Sequence, residues 1–306
     1  VESRVIVFGS LNLDVVYTVA RLPEPGETVR GTGLRRFSGG KGGNQAYAAA
    51  RVAGQDVRVA MVACVGADEA GVRVRSDLEA AGVDTTFVRT VEQEATGTAF
   101  IGVDEAGENS IVVVAGANGA WPDDLVPSAP LDAGDVVVCQ LEVPLEVVAR
   151  VVDHAAAAGA RVVLNAAPVD PAVRPLLDRV DVLVVNALEA AEILDLDRVD
   201  AGTISEVSRD AGPALVVTLG ADGALVADAD GVRAVPPFAV DAIDTVGAGD
   251  AFVGALAAEL AAGVPLATAA RTGNAAGALT ATVAGARHPL LTKADIDVLR
   301  TRADAP

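Results

Sequence analysis

The sequence predicts an open, doubly wound α/β domain, a largely parallel sheet with helices on both faces. Three observations carry this. Short Val/Ile runs alternate with Ala-rich amphipathic stretches along the chain. The Val/Ile runs are continuously apolar, as strands buried on both faces must be. The 306 residues are 51% hydrophobic but only 3% aromatic, so the core has to be built from branched aliphatics in close-set layers.

The length fits a single α/β domain, 1–306, with no internal repeat and no low-complexity linker. The clearest strands are Val5–Gly9, Val57–Cys64, Asp135–Gln140, Arg161–Asn165, Val182–Val185 and Leu215–Leu219. Helices are expected near 42–53, 68–81, 144–158, 186–194 and 203–211, and again at 248–262, 266–282 and 293–301. Two regions break the pattern. Residues 11–37 and 97–115 hold strands with no helix between them and more alternation ("DVVYTVARL", "TGTAFIGVD", "ENSIVVVAG"). They predict a small antiparallel sheet assembled from both segments. Set beside the strand ends, where such folds bind ligands, it could act as a lid.

Charge and rare residues narrow the function classes. The net charge of −19 opposes binding to nucleic acid or to an anionic membrane surface. An anionic ligand would need a locally positive pocket, and of the 23 Lys and Arg residues only Lys41 and Lys293 are lysines. Two cysteines, Cys64 and Cys139, end apolar runs without metal-ligand spacing and read as buried thiols of a cytoplasmic protein. No apolar run approaches the ~18 residues of a membrane span. The chain enters a strand within its first residues, so no signal peptide is expected.

Several motifs fail. After the first strand stands Gly9-Ser10-Leu11-Asn12, which is no dinucleotide fingerprint. Gly40-Lys41 is followed by Gly42, which is no P-loop. His154 and His288, the two histidines, lack partners for a nucleophile triad or a zinc site.

The stretch "DTVGAGDAF", 244–252, sets a Gly247-Ala248-Gly249 turn at the start of a strongly helical run. Unpaired N–H groups there, helped by the helix dipole, suit an anion. Asp250 in the first turn is electrostatically odd beside an anion unless it acts as base on an incoming hydroxyl. That describes a phosphoryl-transfer site. The plain alternative is a helix cap on a glycine turn. A second glycine cluster, "FSGGKGGNQAYAAARVAG", 37–54, places Lys41 and Asn44 at another helix start. Upstream, "GSLNLDVV" places Asn12 and Asp14 on one face of an extended segment, an amide and a carboxylate suited to gripping vicinal hydroxyls.

With these residues in place, the chain resembles the ribokinase family of carbohydrate kinases over essentially its whole length. "GGKGGN" (39–44) and "DTVGAGD" (244–250), in this order, carry most of the resemblance. "GSLNLD", "LPEPGETV", "AGAN", "QLEVP", "LNAAP", "NALE" and "TLGADG" fall where the family has them. The resemblance implies a three-layer sheet with a β-sheet lid, and ATP-dependent phosphorylation of the primary hydroxyl of D-ribose. Asp250 would be the base, and the N–H groups of Gly247, Ala248 and Gly249 the anion hole. Asn12, Asp14, Gly40, Lys41, Asn44 and Glu142 would hold the sugar. Asn186, Thr218, Gly220, Gly223 and Asn274 would line the nucleotide site, with Glu189 acting on Mg²⁺ and phosphate through water. A monovalent-cation site for K⁺ would use Asp244, Val246, Thr280, Val283 and Gly285. Pro289 departs from it, standing where the family commonly supplies a serine hydroxyl. A homodimer through the lid is implied as well. The alternatives are a kinase of the same family for deoxyribose, a ketose or a nucleoside, and a non-catalytic sugar sensor or nucleotide-binding module on the same fold.

Overall fold

The computed structural model describes residues 3–208, 212–289 and 291–303. In chain order the elements are β1 (Ser3–Phe8), β2 (Asn12–Val19), β3 (Gly31–Gly39), α1 (Lys41–Val52), β4 (Val57–Gly66), α2 (Glu69–Ala80), β5 (Asp84–Val91), β6 (Gly97–Val103) and β7 (Asn109–Val114). There follow α3 (Leu125–Ser128), β8 (Val136–Gln140), α4 (Leu145–Ala158), β9 (Arg161–Asn165), β10 (Val182–Asn186), α5 (Ala187–Ile193) and α6 (Ala201–Ser208). The last are β11 (Ala214–Thr218), β12 (Ala224–Asp228), β13 (Gly231–Val235), α7 (Ala248–Ala261), α8 (Leu266–Thr280) and α9 (Lys293–Ala303).

Nine strands form the large sheet in the order β13-β12-β11-β10-β9-β8-β1-β4-β5. The continuous apolar runs divide by side-chain alternation into two cores. Val5 and Val7 of β1, Val136 and Val138 of β8 and Val182 and Val184 of β10 enter one layer, under α1, α7 and α8. Ile6, Phe8, Val137, Cys139, Leu183 and Val185 enter the other, under α4, α5 and α6. This double burial is why those strands are legible in the sequence. Both cysteines are buried, and burial pushes each thiol up to about 12, so they behave as small core residues.

The large sheet is wider than the sequence suggests. Strand β5 at one edge is half polar ("DTTFVRTV") and lacks the apolar run of a central strand. At the other edge, β12 and β13 form an antiparallel hairpin, closed where Asp228 pairs with Gly231. The helix expected at 203–211 is observed as α6, and 209–211 lie outside the described residues. No helix among the described residues is long and apolar enough to cross a membrane.

The small sheet has the order β3-β2-β6-β7 and draws on both predicted segments. Its outer pairs are antiparallel hairpins, but the central pair, β2 with β6, is parallel. The two hairpins leave the body in the same direction and meet by their first strands, which makes that pair parallel. Asn12 pairs with Gly39 on one side and with Gly97 on the other, so one row of residues forms the base of this sheet.

Candidate active site

The site is made where α1 and α7 meet. A Cβ on Gly254 would lie 2.3 Å from the Gln45 carbonyl oxygen, so only glycine lets the two helices come this close. One turn before Gly254, Asp250 is buried in the first turn of α7. Its Oδ2 accepts from Asn44 Nδ2 and its Oδ1 from Gln45 Nε2, both at 3.0 Å. Gly247 caps the helix at φ +76, and a Cβ there would stand 2.2 Å from the Ala286 oxygen. The turn and the Asp250 carboxylate are therefore held by backbone geometry as much as by side chains. Of the three N–H groups assigned to the anion hole, that of Ala248 already donates to the Thr245 carbonyl at 3.2 Å. That bond has to open or be shared for Ala248 to serve an anion.

The predicted sugar residues gather beside this turn. Asn12 Oδ1 accepts from Asn118 Nδ2 at 2.7 Å, while Asn118 also bonds both the N–H and the carbonyl of Leu11. The Asn118 amide thus fixes the orientation of Asn12. The Asp14 carboxylate overlies Gly39, where a Cβ would come within 2.1 Å of its oxygen. Burial, with repulsion from Glu142 and Asp250, pushes Asp14 up to about 6, and Arg287 offsets part of this. Gly40 caps α1, and Glu142 Oε2 accepts from Lys41 N–H at 2.9 Å and from Ser10 Oγ at 2.5 Å. Glu142 therefore neutralises the start of α1 with one oxygen, leaving the other for a ligand.

On the side expected to take the nucleotide, a cavity of about 240 Å³ is lined by Lys41, Asn186, Glu189, Thr218, Gly247, Gly249 and Asp250 among others. Asn186 and Glu189 form a reciprocal cap on α5: Asn186 Oδ1 accepts from Glu189 N–H, and Glu189 Oε2 accepts from Asn186 N–H. One Glu189 oxygen is left over, and burial raises this carboxyl above its usual range against the pull of Lys41. Three expected nucleotide residues lie outside that cavity. Gly220 and Gly223 shape the β11–β12 connection, where Leu219 N–H donates to the Gly223 carbonyl at 2.8 Å. Asn274 Nδ2 donates to the Val235 and Pro236 carbonyls, tying α8 to the end of β13.

The predicted cation residues cluster. Asp244 Oδ1 accepts from Val246 N–H at 3.0 Å and Oδ2 from Gly285 N–H at 2.9 Å. Val283 N–H reaches the Thr280 carbonyl at 3.3 Å, and Thr280 Oγ1 is buried without a partner among the described residues. Among those residues no group of three or more His, Cys, Asp or Glu could hold a metal, so a cation here would rest on Asp244 with neighbouring hydroxyl and carbonyl oxygens.

Four residues of the site escape sequence reasoning. Gln45 follows Asn44 directly in "GGKGGNQA", Asn118 ends "AGAN", and Asn165 opens "NAAP", so each sits inside a quoted motif. Arg287 has no such signal. Its Nε donates to Asn44 Oδ1 at 2.9 Å, its guanidinium lies 5.4 Å from the Tyr47 ring centre, and burial lowers it to about 10. It remains a cation at neutral pH, set among Asp14, Asp77 and Asp250.

A model of the pfkB family carbohydrate kinases matches residues 2–293 of the chain. The ribokinase of Haemophilus influenzae is 37% identical over 293 residues, covering 94% of this chain and 95% of that protein. The deoxyribokinase of Salmonella typhi is 34% identical, over 83% of this chain and 84% of its own length. The structure of Arabidopsis thaliana ribokinase complexed with ribose and ATP superposes with a TM-score of 0.87 at 30% identity, covering 96% and 97% of the two chains. A buried carboxylate beside a glycine turn, a facing cavity and full-length likeness agree: the chain belongs to the pfkB family of carbohydrate kinases.

Proposed function

We propose that this chain phosphorylates the primary hydroxyl of D-ribose with ATP. The observation that carries the reading is the buried Asp250, gripped by two amides at the mouth of the Gly247–Gly249 turn. Likeness to ribokinases over nearly the full length supports the acceptor.

Asn12, Asp14, Gly40, Lys41, Asn44 and the free oxygen of Glu142 orient the sugar. Asp250 Oδ2 takes the hydroxyl proton as the sugar oxygen bonds to the γ-phosphorus and the bond to the β–γ bridging oxygen breaks, releasing ADP. The N–H groups of Gly247 and Gly249 stabilise charge on the transferring phosphoryl group, with Ala248 joining once its turn bond is shared. Asn186 and Thr218 face the nucleotide, and Gly220, Gly223 and Asn274 act by holding the segments beside it. The spare Glu189 oxygen fits a water-mediated Mg²⁺, which when bound neutralises phosphate charge. Asp244, the Thr280 Oγ1 without a partner among the described residues, and the carbonyls of Val246, Val283 and Gly285 fit K⁺, which would supply positive charge behind the turn. Strand β7 exposes Ile111, Val112, Val113 and Val114, a run that suits a homodimer through the small sheet. On that reading Val112→Lys turns the dimer into a monomer by light scattering, and a monomeric parent protein would rule it out.

The test is ADP formation with D-ribose, with and without potassium, alongside Asp250→Asn. Turnover should fall by a factor on the order of 10³ in the variant. Absence of ribose-dependent turnover in the parent protein would remove the assignment. The deoxyribokinase relative supports a second reading. Ranking kcat/KM for ribose against 2-deoxyribose decides between the two.

A further inference from the structure

Gln45 is fully buried, so no substrate touches it, yet both ends of its amide are committed. Oε1 accepts from Gln140 Nε2 at 2.6 Å. Nε2 donates to Asn165 Oδ1 at 2.9 Å and to Asp250 Oδ1 at 3.0 Å. The polarity of this chain is set from its far end. Asn165 Nδ2 donates to the Val184 carbonyl at 3.1 Å, and a carbonyl can only accept. Asn165 therefore presents its oxygen to Gln45. Gln45 must answer with its NH₂ group, whose second hydrogen falls to Asp250. A flipped Gln45 would set its oxygen against both Asn165 Oδ1 and the carboxylate.

The two oxygens of Asp250 thus become unequal. Oδ1 is tied to the protein interior, and among the described residues Oδ2 is shared only with Asn44, itself one of the proposed sugar residues. We propose that Gln45 is a positioning residue for Asp250, anchoring Oδ1 through the Val184–Asn165–Gln45 chain so that Oδ2 alone receives the acceptor's proton. The inference rests on Asp250 being the base. A carboxylate free to rotate would spend part of its time with neither oxygen in line, and small misplacements of a base are costly in rate. The amide also offsets the cost of burying the charge. If the network merely tied α1 to β8 and β9, its loss would lower stability without singling out kcat.

Gln45→Met keeps the side-chain length and removes the amide. The expected result is a fall in kcat of about 10- to 100-fold, the range for one hydrogen bond to a charged group. KM for sugar and for ATP should stay within about threefold, since Gln45 reaches neither. In an Asp250→Asn background the same substitution should leave the residual turnover unchanged. Gln45→Glu, isosteric and still able to pair with Gln140, replaces the donor with an oxygen and should lose at least as much. Asn165→Leu, which frees the chain from Val184 without removing Gln45, should move kcat the same way. Thermal unfolding and ADP binding select the folded variants for kinetics. Parent-like kcat in any folded variant, a loss confined to KM, or an equal loss in the Asp250→Asn background overturns the inference. Asp250→Asn retaining full turnover overturns the base assignment and this inference with it. An inactive Asp250→Asn beside a fully active Gln45→Met overturns the inference alone.

Discussion

Asp14→Asn should make the protein more stable and worse at holding its sugar. Burial, helped by Glu142 and Asp250, raises the Asp14 carboxyl to about 6. The same group titrates at ~3.9 in an unfolded chain, and each tenfold difference in proton affinity is worth about 1.4 kcal/mol. Between about pH 4 and 6 the native state binds the proton more tightly than the unfolded chain. Stability is therefore lost as pH rises through that window, with no penalty below it and the full penalty above it. A proton affinity about a hundredfold higher in the native state gives at most about 3 kcal/mol, and partial solvent access reduces this to about 1–3 kcal/mol. At pH 8, Asp14→Asn should gain that amount, or ~2–5 °C in Tm. Towards pH 4 the gain should vanish. Urea titrations of both proteins from pH 4.5 to 8 measure it, because packing effects of the new amide do not vary with pH. A difference that stays flat across the range would refute the argument. In the parent protein, sugar KM should rise below pH 6 as the carboxylate is protonated.

Two further substitutions address the rest of the site. Gly247→Ala forces a side chain into a φ of +76 and against the Ala286 oxygen, so kcat should drop by about 10-fold or more while the fold survives; unchanged turnover would show that the turn tolerates displacement. Arg287→Met removes the donor that orients Asn44 and the cation that offsets Asp14. Sugar KM should rise about 10-fold, and its acid limb should move to higher pH, as read from KM against pH.

What is legible in the sequence follows a physical line. Strands buried on both faces, such as β10 over 182–185, announce themselves because every such position must be apolar. Edge strands do not: "DTTFVRTV" has one solvated side, and "GVRAV" is mostly exposed. The glycine motifs at 39–44 and 244–250 are readable because anion turns need small residues at fixed spacing. The amides behind them do not stand out as site residues, since an Asn or Gln inside a motif signals nothing until its partners are known. Arg287 illustrates the limit. An isolated arginine in "GARHP" looks solvated, and only the fold brings it to Asn44, 243 positions away in the chain. Glu142 shows the converse, a carboxylate expected on the sugar that also secures a helix start.

If the small sheet moves as a lid, the row Gly39–Asn12–Gly97 at its base is where it would pivot. The chain crosses between body and lid at these points, and Asn118 pins the middle one through Leu11 and Asn12. A rotation about that line leaves Asn12 almost still. Asp14, two residues further out at ~7 Å, travels ~1 Å for every ~10° of swing, and the far ends of β6 and β7 travel about three times as far. The two residues that resemble a matched pair in sequence would then act at different times. On the proposed function, Asn12 would meet the sugar with the small sheet still open, and Asp14 would be delivered as the sheet closes.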